Sequence, residues 1–166
     1  MSRSAPGQAS LRGCVQKHRD GRIRRVEAEA AIQEIIDRET QAWNSKDVSL
    51  LLSVFHPDMV WAWPATYTSY DPVDWRLVLG KFDAERWGAL YEQLFRARTL
   101  VHNHRETVRI EISEQGDGAF AVVDIDTLWR ENATGFEDHW LGRTCKLYAL
   151  VGSEWKMTAQ VGALQY

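Results

Sequence analysis

Residues 102–106 read His-Asn-His-Arg-Glu. In an extended strand successive side chains alternate, so His102, His104 and Glu106 share one face. Imidazole titrates near neutral pH, which suits these groups to moving protons. Asp124 and Asp126 repeat the same spacing on a second extended stretch. A carboxyl on an inward face there, its pKa raised by burial, could act as general acid or base. The candidate catalytic group is therefore a His102 or His104 imidazole paired to Asp124 or Asp126.

Other chemistries have weaker patterns. His-x-His on a strand also suits two metal ligands. A cupin, however, would place a glutamate three or four residues after the second histidine, and Glu106 comes too soon. A metal-dependent site on His102 and His104 is the third alternative, after acid–base chemistry and non-catalytic binding. There is no Gly-x-Ser-x-Gly elbow, and Cys145 has no flanking signature of a nucleophile. No phosphate loop or dinucleotide fingerprint is present. Proton transfer needs no cofactor, and none is expected.

Aromatic residues suggest what such groups would act on. Trp61 and Trp63 are two apart, so on a strand they share a face, and Tyr67 follows. Trp43 and Tyr91 lie on the apolar stripes of two predicted helices. With His139, these residues are the candidate ligand-binding set: aromatic walls, with Tyr67 and His139 as polar contacts.

The elements that must position these residues can be read from periodicity. From Val26, Ile32, Ile35, Ile36, Glu39 and Trp43 recur at helical spacing. Asp47 reads as the N-cap of a short second helix, VSLLLSVF, and His56-Pro57-Asp58 stops it. A strand, MVWAWPAT, follows, then a loop over 67–80 and a third helix over 83–97. After that the period becomes two, with turns at Gly116-Asp117-Gly118, Asn132–Gly135 and Gly152-Ser153. On the strand from Val101, the alternative face carries Asn103, Arg105, Thr107, Arg109 and Glu111 and is polar throughout. The histidine face, continuing into Val108, Ile110 and Ile112, is thus expected to be the buried one. The next two strands carry bulk on both faces, and the pattern does not assign their inside. Helices followed by a four-strand meander predict an α+β fold with a curved sheet wrapped around three helices.

Composition bounds the rest. The 166 residues fit one domain. Residues 1–25 carry a net charge of +6, leaving −9 for the remainder. Low apolar content marks 1–25 as a disordered basic tail, with the folded domain over 26–166. The tail lacks interleaved aromatics, so no nucleic-acid partner is expected. It also lacks the apolar centre of a secretory signal. No apolar run approaches the ~20 residues of a membrane span, and no membrane association is expected. Two cysteines give no disulfide framework, and a reducing, cytoplasmic location is the default.

Two stretches carry a resemblance. AWNSKDVSLLLSVFHPDMVW runs from a helix end through an acid-capped helix into Phe-x-Pro-Asp and a strand. GSEWKMTAQVGALQY is a tight turn, Trp-Lys and a closing strand. Over residues 26–166 the chain resembles the nuclear transport factor 2-like superfamily, also called SnoaL-like or ketosteroid-isomerase-like. The resemblance implies a cone with an apolar pocket at its open end. It also implies a homodimer formed through the outer sheet face. Members include isomerases, cyclases, dehydratases and non-catalytic association domains, so the fold alone assigns no activity. In the isomerases the base lies just before a proline in the first strand. Here that position is Trp63, which cannot accept a proton. The resemblance therefore implies binding of a small apolar or cyclic organic molecule, with any acid–base group drawn from the later strands.

Overall fold

The computed structural model describes residues 8–62, 73, 76–77 and 79–164, with side chains from position 24 to position 162. Helix α1 spans Gln8–Ser45. It presents Ala28, Ile32, Ile35, Ile36, Glu39, Ala42 and Trp43 on one buried face, the spacing expected for a helix docked along one side. The helix crosses the boundary that composition placed after residue 25. Leu11, Gln16, Lys17 and the arginines are good helix formers, and elongating an existing helix costs far less than nucleating one.

Lys46 ends α1 in the left-handed region, at φ 57°. Its Nζ donates to the carbonyls of Phe95 and Arg98 at 3.1 and 2.6 Å, which places a cation at the C-terminus of the helix α3, Ala84–Ala97. Helix α2, Val48–Ser53, is capped as expected, with Leu50 N–H donating to Asp47 Oδ1 at 2.9 Å. Helix α3, Ala84–Ala97, is capped by Asp83 and buries Trp87, Gly88, Tyr91 and Phe95. No helix among the described residues is long and apolar enough to cross a membrane.

Five strands follow in one sheet: β1 Phe55–Trp61, β2 Arg98–Ile112, β3 Gly118–Glu131, β4 Glu137–Val151 and β5 Glu154–Leu164. The spatial order is β1-β5-β4-β3-β2. Strand β1 pairs parallel with β5, and the other pairings are antiparallel. β1 begins earlier than expected and contains Pro57. An edge strand tolerates this, because the ladder is irregular between Phe55 and Val60 and asks no N–H of the proline.

Strand β2 holds the feature that decides which residues face inward. Its pairing with β3 shifts twice, between Leu100 and His102 and between Thr107 and Arg109. Each shift inserts one extra residue, Val101 and then Val108, and each reverses the side-chain alternation. Outside the bulges, even-numbered Leu100, Ile110 and Ile112 pack against the core. Between them the odd-numbered residues face inward. Arg105 is 8% exposed at its side chain, whereas His104 and Glu106 are exposed. The expectation that the histidine face is buried is therefore overturned for residues 102–106. A strict two-residue period carried across both bulges puts that segment on the wrong side.

Candidate ligand-binding cavity

The concave side of the sheet and the helices enclose a cavity of about 240 Å³. Its walls include Trp43 from α1, Trp61 from β1, Trp129 from β3 and Trp140 from β4. Trp43 is the hub. Its ring lies 5.5–6.4 Å from those of Phe95, Tyr91, Trp129 and Trp61, and each pair meets edge to face, the arrangement aromatic quadrupoles favour. Of the expected ligand-binding aromatics, Trp43 and Trp61 are on the cavity lining, and Tyr91 packs against both but is absent from it. Trp63 and Tyr67 lie outside the described residues.

Polar groups enter this apolar space at few points. Arg98 and Asp138 form an ion pair at 2.5 Å on the wall. Gln160, on β5, is 8% exposed, and its Oε1 has no hydrogen-bond partner among the described residues. A buried acceptor without a donor costs roughly 1–3 kcal/mol, which a ligand N–H or O–H would relieve.

Beneath the cavity lies a buried charge cluster. Glu39 Oε1 accepts from Arg105 Nη1 at 2.8 Å, and Glu39 Oε2 accepts from Lys146 Nζ. Both cations hold Glu39 down to about 2, against the opposing effect of its complete burial. Burial draws Lys146 down to about 8, with Glu39 resisting. Arg105 also donates from Nε to Asn103 Oδ1 at 3.0 Å, and its guanidinium lies over the Trp43 ring. Tyr91 and Tyr148 hydroxyls are buried without hydrogen-bond partners among the described residues, and burial raises both well above the usual phenol range.

The residues expected to be catalytic lie on the opposite, convex side. His102 and His139 each place Nε2 at 2.7 Å from Asp126 Oδ1. His104 stacks on His102 at 5.2 Å. Asp124 accepts a two-pronged bond from Arg143 at 2.6 and 2.8 Å, which lowers its pKa. Hydrogen bonds from His139 and His102 likewise lower Asp126. Neither aspartate is a burial-raised acid, and His102, His104, Asp124, Asp126 and His139 are all absent from the cavity lining. The sequence reading missed Glu39, Arg98, Arg105, Asp138, Lys146 and Gln160. One signal was available: Glu39 interrupts an otherwise apolar helical stripe, and a carboxylate there requires a buried cation.

No protein-family model and no curated protein matches the chain. Solved structures do. A conserved protein from Planctomyces limnophilus superposes with a TM-score of 0.65 at 20% identity, covering 83% of this chain and 99% of that one. A hexachlorocyclohexane dehydrochlorinase, LinA type 2, gives a TM-score of 0.64 at 14% identity, over 87% and 89%. A nuclear transport factor 2-like superfamily protein from Salmonella enterica gives 0.62 at 15%, over 85% and 93%. The chain has the nuclear transport factor 2-like fold. Its five-stranded mixed sheet, open rather than closed, wraps the helices as that α+β cone does. Within the NTF2-like cone, the cavity found here lies on the concave side of the sheet.

Proposed function

We propose that the inner cavity binds a small cyclic organic molecule bearing a hydrogen-bond donor and an acidic group. The observation that carries this reading is the tryptophan-walled cavity with an unpaired, buried Gln160 Oε1 on its lining. An apolar cavity of about 150 Å³ suffices for benzene, so about 240 Å³ accommodates a substituted ring. Arg98, Arg105 and Lys146 outnumber Glu39 and Asp138 by one charge in and beneath the cavity, which favours an anionic group. Binding is better supported than catalysis, because both nearby carboxylates are tied to cations. Asp138 is the carboxylate on the lining, and proton transfer in the cavity would fall to it.

The test is titration with small hydroxy- or amino-substituted aromatic carboxylic acids, which keep a donor when ionised, and with their neutral amides, read by tryptophan fluorescence. Mass spectrometry of molecules extracted from freshly purified protein runs beside it. Saturable binding that prefers the acids and weakens about tenfold in Gln160→Leu supports the reading. Binding unaffected by Gln160→Leu, or extraction of a ligand that cannot fit the cavity, overturns it.

The chain is further proposed to act as a cytoplasmic homodimer through the outer sheet face. Phe120, Leu147 and Val161 are each about two-fifths exposed there. Phe120 and Leu147 are register partners across β3 and β4, and Val161 pairs with Cys145 beside them. A Leu147→Glu chain that keeps the wild-type mass in light scattering removes this proposal.

A further inference from the structure

We propose that His102, Asp126 and His139 form a divalent-metal site on the outer face of the sheet, taking zinc or a first-row ion of the same class. Three strands build it. His102 on β2 and His139 on β4 both pair with Leu128 on β3, one from each side. Asp126 lies two residues along β3 on the same face, between the two imidazoles. Both rings aim the same nitrogen, Nε2, at one oxygen, Asp126 Oδ1, each at 2.7 Å. The three donor atoms all lie within 4.8 Å of one another.

Without metal, each neutral ring donates its Nε2–H to the ionised carboxylate, which can only accept. With metal, each ring moves that proton to Nδ1 and offers the Nε2 lone pair instead. Bonds of about 2.0–2.1 Å to zinc place tetrahedral ligands about 3.3 Å apart, so each nitrogen must retreat from the oxygen by about 0.6 Å. The two nitrogens, now within 4.8 Å, must settle at the same spacing. The side chains are 30, 41 and 43% exposed, which leaves a fourth position open to water. Two histidines and one carboxylate with an open position is a set that zinc and its neighbours accept. Strand positions hold the ligands more firmly than loops would. His104 stacks against His102 but does not converge on the same point, so the site differs from the His102–His104 pair that the sequence spacing suggested.

The experiment uses the full chain, stripped with chelator and desalted, then titrated with Co²⁺ and back-titrated with Zn²⁺. The expected result is one Co²⁺ per chain with the visible absorption of a tetrahedral ion, displaced by one equivalent of Zn²⁺. His102→Ala, His139→Ala and Asp126→Asn should each weaken binding about tenfold or more. His104→Ala and His56→Ala should leave it unchanged. Should His102→Ala fail to fold, His102→Gln carries the same test. Absence of the absorption overturns the proposal and leaves a plain hydrogen-bonded cluster. Binding that survives the three variants, or is lost in His56→Ala or His104→Ala, overturns it equally.

Discussion

The two faces of one sheet carry similar charge pairs under opposite conditions. Inside, Glu39 is fully buried against Arg105 and Lys146. Outside, Asp124 meets Arg143 in a better two-pronged geometry, yet the two are 42% and 45% exposed. Water and salt screen the outer pair, so its fine geometry contributes little. The inner group cannot be hydrated, and removing its one acid leaves two cations stranded in an apolar setting. Geometry alone therefore ranks these pairs wrongly, and burial corrects the ranking.

The largest expected effect breaks the inner cluster. Glu39→Gln strands two buried cations and should cost about 3–5 kcal/mol in urea unfolding. Lys146→Met, by contrast, leaves the Arg105–Glu39 pair balanced and should be near neutral. That asymmetry is the sharp part of the comparison; equal losses would show that Arg105 alone does not compensate the buried Glu39.

A pH titration of stability comes next. Glu39 has a folded pKa of about 2 against an ordinary 4.5, so its contribution is complete above 4.5 and is lost as pH falls toward 2. The shift corresponds to about 3 kcal/mol. Urea midpoints across that range should show an acid limb that is shallower in Glu39→Gln, with a remainder from the exposed Asp124 and Asp126, whose pKa values are also lowered. Lys146 acts with the opposite sign: its burial penalty is present at neutral pH and is relieved as pH rises from about 8 to 10.5.

The smallest effects belong outside. His104→Ala should leave both the melting temperature and ligand uptake unchanged, because its ring faces away from the cavity. Loss of uptake in this variant would return the histidines to the binding site.

Much of the frame was legible locally. The α1 stripe, the Asp47 cap and the meander order follow from short-range periodicity and turn chemistry. Trp43 and Tyr91 lie on the buried sides of their helices, as helical spacing indicates, though of the two only Trp43 is on the cavity lining. The cluster under the cavity was not legible as a cluster. Glu39 meets Arg105 across 66 residues and Lys146 across 107, and no local pattern reports such a meeting. The side of β2 was misread for a different reason. A bulge residue such as Val108 looks like any other apolar strand residue, yet it reverses everything that precedes it.

That reversal gives the fold an unusual mutational neighbour. Removing Val108 alone, one codon, would let the ladder close without its extra residue. Thr107 would still oppose Val123 and Arg109 would still oppose Val122, so Arg105 would keep facing the tryptophans and His104 and Glu106 would keep facing solvent. A one-codon deletion at the bulge is thus expected to keep the arginine-lined interior, whereas deleting one residue from the regular stretch between the two bulges would turn its neighbours on one side to the opposite face.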